Sequence, residues 1–342
     1  MKFESFTAWD QLPESADLLF EKAERDSIFY SRPWFENLAS SLDDQQLFIA
    51  CVIEENKVLA ILPMIQNNDD SLLPLKHRYT THFSLLITDD DQAQIITCLV
   101  QGLDQLSISS LLLEPVADDD SSLINLQRGM QAGSYNCELN FRFYNWIYRV
   151  NGPSFENYMA TRPARLRNTI ARKKRKLDRE HGHVIKLYSG ETVPQAMSDY
   201  YAAYNASWKA NEQYVDFLDA VVRKFSIRGW SRLAVLYVDE QAIAAQLWFV
   251  AHNKASIFRL AYDESWKAYS PGSILTGFLM QYVIDTDRVD EIDFLTGNDA
   301  YKRDWMSERR QRYALSCVKH AGSSSKYSKL ANLLKRNLKK PL

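Results

Sequence analysis

Cysteine is scarce in this chain: four residues, Cys51, Cys98, Cys137 and Cys317, with no Cys-x-x-Cys spacing among them. That spacing excludes a zinc ribbon and offers no disulfide framework, so a reducing compartment is expected. The opening Met1-Lys2-Phe3-Glu4-Ser5-Phe6-Thr7 lacks the apolar stretch of a secretory signal. No run approaches 18 apolar residues, which removes a membrane-spanning helix. A cytoplasmic protein is the expectation. Histidine is also sparse, and His181-Gly182-His183 has no third ligand at suitable spacing. The acidic runs Asp89-Asp90-Asp91 and Asp118-Asp119-Asp120 read as loop and helix-start residues. No metal is expected.

What the chain does have is enough length for two cores. At 342 residues, with 46% apolar and 25% charged side chains, it reads as a globular protein of two domains. The net charge of −2 hides an asymmetry. Residues 1–150 carry 10 basic and 23 acidic side chains, a net of −13, and the rest carries 31 and 20, a net of +11. The basic half can collect an anionic ligand or face the acidic half.

Alternating strand and helix signals fill the first 150 residues, as in an α/β layer fold. The apolar runs 47–53 and 58–65, split by Glu54-Glu55-Asn56-Lys57, read as a hairpin. A helix over 33–42 has Ser31 as its cap and turns Trp34, Phe35 and Leu38 inward. Further helices are expected over 92–106 and 123–132, and a strand over 143–150. Asn151-Gly152-Pro153 marks a boundary. Beyond it come helices over 155–180, 193–209 and 215–227, then a hairpin around Asp239-Glu240-Gln241 and a strand over 255–262. The turn Tyr269-Ser270-Pro271-Gly272 opens a helix over 273–284, followed by a strand over 291–295, a short helix from Ala300 and a strand over 313–319. The plan divides as 1–150, 151–320 and a basic tail 321–342.

A helix opening at a glycine turn aims unpaired N–H groups at whatever precedes it, which favours anions. Ser270, Gly272, Ser273 and Ile274 are the residues of that opening. The plainer alternative is a capped helix start. Arg162–Arg179 holds nine basic residues and one acid, with Leu166, Ile170 and Leu177 on one stripe. Arg172 and Arg175 lie off that stripe and fit an anionic substrate, or a solvated face. The tail 326–342, with six basic residues and leucines at 330, 333, 334 and 338, fits an anionic membrane surface, RNA or a free helix.

The basic helix with Arg165, Leu166, Arg167, Lys173, Lys176 and Leu177, the Ser270-Pro271-Gly272 turn, and Gly297 followed by Tyr301-Lys302 and Trp305 resemble the GNAT acyltransferase superfamily, in its two-domain FemAB-like branch with CelD/BcsL-type acetyltransferases. One glycine stands where single-domain members have a double-glycine loop. The resemblance implies an α/β (α+β) fold of two tandem GNAT-like domains, each a mixed twisted sheet flanked by helices, with the second carrying most of the site. It implies an acyl-CoA or acetyl-CoA donor and an amine or hydroxyl acceptor: a small molecule, a glycan or a carrier protein, in envelope or polysaccharide metabolism. Its Fem members imply an alternative, an aminoacyl-tRNA donor; a non-catalytic adaptor that binds anionic ligands is a third reading.

In this frame Ser270, Gly272, Ser273 and Ile274 hold the donor pyrophosphate. Lys302 resembles the charge-stabilising lysine of Fem-type enzymes, and Tyr301 is its companion acid. The alternative packs Tyr301 and Trp305 on one helical face and leaves Lys302 in water. Trp208, Arg259 and Tyr262 line an acceptor pocket, or serve as packing. His252, Asp263 and Asp293 are weak candidates for a base, and a water chain can replace one.

Overall fold

The computed structural model describes all residues except 43, 44, 69, 107, 153, 210 and 321–342, so the expected basic tail lies outside the described residues. Contacts divide the chain into two compact units: Met1–Tyr144 joined by the chain from Gln311 onward, and Asn145–Arg310. The strand expected near the end of the second domain thus gives most of its length to the first unit.

In the first unit β1 (Lys2–Phe6), α1 (Ala16–Ala23) and α2 (Arg32–Ala39) precede the hairpin β2 (Gln46–Glu54) and β3 (Lys57–Gln66). Ser31 caps α2, its hydroxyl accepting from Trp34 N–H at 3.4 Å, and Trp34, Phe35 and Leu38 are buried as expected. Then come β4 (Ser71–Pro74), β5 (Leu86–Ile87), α3 (Gln92–Gln105), β6 (Ser110–Val116), α4 (Ser121–Ala132) and β7 (Tyr135–Arg149). The unit's strands run β1-β2-β3-β4-β6, with β13 (Glu308–Lys319) antiparallel beyond β6. Cys137 on β7 and Cys317 on β13 form a disulfide, against the expectation of none. They are 180 residues apart in the chain, so no local spacing signals the pair.

Parallel strands β4 and β6 pair only at Ser71↔Ser110 and Leu72↔Leu111. Where they part, the chain fills the gap itself. Phe83 N–H donates to Pro115 O at 2.7 Å, and Lys76 and Arg142 both bind the buried Glu114 carboxylate. Every ladder group left open by the parting must find a partner, and here the partner is internal.

The second unit begins with the end of β7. Pro163 interrupts the helix expected over 155–180, giving α5 (Phe155–Ala160) and α6 (Ala164–Glu180). An unexpected strand, β8 (Val184–Ser189), precedes α7 (Met197–Asn205) and α8 (Val215–Ile227). After the hairpin β9 (Ser231–Val238) and β10 (Gln241–Ala251) come β11 (Lys254–Tyr262), α9 (Pro271–Asp285), β12 (Glu291–Thr296) and α10 (Ala300–Trp305). The strand order is β7-β12-β11-β10-β9-β8, with β11 and β12 parallel through the α9 crossover. Ile274, Leu275, Leu279, Met280, Val283 and Ile284 of α9 are buried in the unit's core, each worth about 1.5–3 kcal/mol of apolar burial. That packing fixes the direction in which the first turn of α9 points.

Candidate active site

Strands β11 and β12 pair at Lys254↔Glu291, Ala255↔Ile292 and Ser256↔Asp293, and no further. Past that point β11 runs on to Tyr262 and β12 to Thr296 as separated stretches. Backbone groups there need new partners, and two lysines supply them. Lys302 Nζ donates to Phe294 O at 2.8 Å and Thr296 O at 2.6 Å on β12. Lys209 Nζ donates to Leu260 O on β11. The α/β rule that ligands sit beyond the carboxyl ends of parallel strands points to this divergence.

Lys302 is 4% exposed, so the arrangement that leaves it in water is not the observed one. Instead Lys302 and Trp305 turn inward and Tyr301 outward, because the six-residue α10 lies along the end of β12. Burial lowers the Lys302 pKa, with Asp299 and Asp293 opposing. Gly297, at φ 118°, gives the room: a Cβ there would lie 3.3 Å from Lys302 Nζ. Desolvation and the Asp299 charge push the Tyr301 phenol up to about 12. A phenol held that far above an ordinary thiol is a hydrogen-bond donor more than a source of protons for a thiolate. Arg162, within the resemblance, serves the frame: it donates to Trp305 O at 2.9 Å and Ser307 Oγ at 2.9 Å, and lies over the rings of Tyr148 and Tyr158.

Ser270 sits at φ 53°, ψ 50° and starts α9 without a side-chain cap. Its carbonyl accepts from Ser273 N–H at 3.0 Å and Ile274 N–H at 3.2 Å, so those amides are not open donors. Pro271 has no N–H. The Gly272 amide is the one at this helix start with no partner among the described residues. The expected cradle is therefore narrower: one backbone donor, the Ser270 and Ser273 hydroxyls, and the dipole of a 15-residue helix. Gln246, buried on β10, orients this turn by donating to Gly272 O at 3.0 Å and Thr276 Oγ1 at 2.7 Å. A lone glutamine in an apolar strand carried no sequence signal.

Around the turn, Lys173 donates to Ala268 O, Lys176 lies 4.5 Å over the Tyr269 ring, and the Tyr269 hydroxyl joins Glu180 and His181 at 2.9 Å each. These ties hold the basic helix α6 against the residues that lead into Ser270. Arg172 and Arg175 are exposed on the same helix, with no carboxylate partner among the described residues.

Tyr262 links the two sides: a Cβ on Gly272 would meet its Cδ1 at 3.2 Å, and its ring packs at a tilt against Trp208, centroids 4.7 Å apart. Trp208 is 51% exposed, beyond the end of α7, so it is not core packing. Arg259 is tied to the buried Glu212 carboxylate at 2.5 Å. Beside them, Lys209 has its Nζ 5.5 Å from the Tyr204 ring centre and 5.6 Å from that of Trp208. Sequence reading missed Lys209; its one signal is position, next in the chain after the aromatic stripe Tyr200, Tyr204, Trp208. No group of three His, Cys, Asp or Glu side chains that could hold a metal occurs among the described residues.

Residues 164–303, which span every element of this divergence, match the family model described as an acetyltransferase (GNAT) domain. Over this stretch the chain is similar to that domain. Among solved structures, FemX aligns with 97% of this chain and 100% of its own, at 8% identity and a TM-score of 0.66. A C-terminal domain named for lysylphosphatidylglycerol synthetase, from Agrobacterium fabrum, aligns over 94% and 97% at 13% identity, TM-score 0.55. A protein of unknown function from Bacteroides thetaiotaomicron aligns over 87% and 97% at 12% identity, TM-score 0.54. At such identities the likeness is one of fold, and with FemX it runs along almost the whole chain. No curated protein matches the chain in sequence. Among the described residues no helix is long and apolar enough to cross a membrane.

Proposed function

We propose that this GNAT protein is a cytoplasmic acyltransferase that moves an acyl group from acyl-CoA to an amine or hydroxyl acceptor. The observation that carries the reading is the partnerless Gly272 amide at the start of α9, the helix that crosses from β11 to β12. A pyrophosphate there meets a helix N-terminus and the Ser270 and Ser273 hydroxyls, and the basic helix α6, tied to the preceding residues by Lys173 and Lys176, adds charge. The thioester then extends toward the separated strands. Lys302 steadies charge on the carbonyl oxygen, and Tyr301 adds a hydrogen bond. Trp208 and Tyr262 offer an aromatic wall to the acceptor, which is a small molecule, a glycan or a carrier protein.

Calorimetric titration with CoA and acetyl-CoA tests the donor half. Micromolar to millimolar binding by the wild type, lost in Gly272→Asp, is expected; no heat at millimolar ligand removes the reading. A second reading, transfer from an aminoacyl-tRNA, is favoured by the exposed Arg172 and Arg175 on α6, which have no carboxylate partner among the described residues. Gel shift with tRNA, weakening steeply as salt rises and abolished by Arg172→Ala/Arg175→Ala, would select it.

A further inference from the structure

Acyl transfer to an amine or alcohol moves one proton from the acceptor to the departing thiolate, and the other side chains named for the site are occupied otherwise: Asp263 Oδ1 accepts from Ser265 N–H at 2.9 Å and from Ser265 Oγ at 2.7 Å. Lys302 spends its amine on two strand carbonyls. Tyr301 is held as a phenol. Asp293 Oδ1 accepts from Asn145 Nδ2 at 2.5 Å and from Leu295 N–H at 2.6 Å. His252 meets the Trp230 ring edge-on at the turn between β10 and β11, at the opposite end of β11 from Tyr262. Lys209 is differently placed. Its amine touches Leu260, four residues past the last β11–β12 pair, and it adjoins the Trp208–Tyr262–Gly272 line of contacts.

We propose that Lys209 is the proton carrier of this site. Its neutral amine takes the proton from the acceptor's attacking nitrogen or oxygen, and its ammonium gives that proton to the departing thiolate. The acceptor's lone pair forms the new C–N or C–O bond, the C–S bond breaks with its electron pair on sulfur, and the products are the acylated acceptor and a free thiol. This rests on the acyl-CoA reading above.

The surroundings suit the task. A neutral lysine keeps one N–H on Leu260 O and has its lone pair free. Burial first, and repulsion from Arg259 on β11, bring the ammonium down to about 8, while Glu212 in the same loop opposes. The rings of Trp208 in the loop and Tyr204 on α7 also lie near, and their faces favour the charged form. The balance leaves on the order of a tenth of the amine neutral at pH 7, with both protonation states accessible near working pH.

The test compares wild type, Lys209→Met and Lys209→Arg by thiol release from acetyl-CoA with a panel of primary amines, from pH 6 to 10, alongside calorimetric CoA affinity. The expected result is CoA affinity within about twofold in all three, kcat/KM lower by about 100-fold or more in both variants, and loss of the acid limb near pH 8. Turnover within fivefold of wild type, with that limb retained, overturns the role of Lys209 and leaves the acyl-CoA reading standing. Failure of the wild type to bind CoA or release thiol overturns both. Should the variants not fold, acetic anhydride labelling of the wild type decides: Lys209 must react faster than surface lysines and be protected by CoA. Labelling at the surface rate, or without protection, overturns the proposal.

Discussion

Two lysines answer the same backbone need at the strand divergence, and their surroundings give them different properties. Lys302 is enclosed and bonded twice, so removing its amine strands two carbonyls at the end of β12. Lys302→Met should cost about 2–4 kcal/mol in urea unfolding, because each buried acceptor left alone costs about 1–3. Activity loss in that variant therefore needs a stability measurement beside it. Lys209→Met should do the reverse. The folded pKa of about 8 lies below the ordinary lysine value of 10.5. Between those values the unfolded chain binds more protons, so wild-type stability rises as pH climbs from about 8 to 10.5 and is flat below. The penalty is complete at pH 7. After discounting for partial exposure and the lost Leu260 bond, Lys209→Met should gain about 1–2 kcal/mol at pH 7. That gain should shrink above pH 8 and be gone near pH 10.5, read from melts across pH. Stability sacrificed to keep an ammonium near neutrality is what a functional group leaves behind.

At the scale of elements, α9 ties the core to the proposed donor site. Its apolar residues anchor it in the core, Gln246 fixes its first turn, and its remaining open amide is Gly272. Gly272→Asp separates the two roles. A carboxylate in the first turn favours the helix dipole by about 0.3–1 kcal/mol, set against a Cβ that must displace the Tyr262 ring by a few tenths of an ångström. The expected melt is close to wild type, with CoA binding abolished by charge repulsion; a variant that binds CoA normally would remove α9 from the donor site. The turn was legible because Ser-Pro-Gly before an apolar run is a local signal. The hairpins β2–β3 and β9–β10 were legible for the same reason. Not legible were β4 and β8, short strands whose partners are remote, or the inward turn of Lys302, which depends on where β12 places its carbonyls. The orientation of α10 is a tertiary outcome, and the sequence left both sides open for Lys302.

For the whole molecule, the acidic and basic halves and the repeated α/β plan could be read from composition and periodicity. The difference between the two partings of parallel strands could not, since it lies in which side chains fill each. In the first unit the chain closes the parting with Phe83 and the Lys76–Glu114–Arg142 cluster, whereas in the second two lysines line it. The boundary near Asn151 was drawn at a turn, and a turn does not report pairing. Residues 145–149 carry every β7 partner of β12: Arg149↔Glu291, Tyr148↔Ile292, Ile147↔Asp293 and Asn145↔Thr296. Ile147 O also accepts from Ser307 N–H, and Tyr148 packs on Tyr158 at 4.7 Å. We propose that the second domain is 145–310. A fragment 145–310 should then melt cooperatively, while 151–310 loses one edge of β12, leaves buried strand groups unpaired and should melt at least about 10 °C lower or not fold, each lost buried bond costing about 1–3 kcal/mol. Circular dichroism melts of the two fragments decide it, and equal melting temperatures would return the boundary to residue 150.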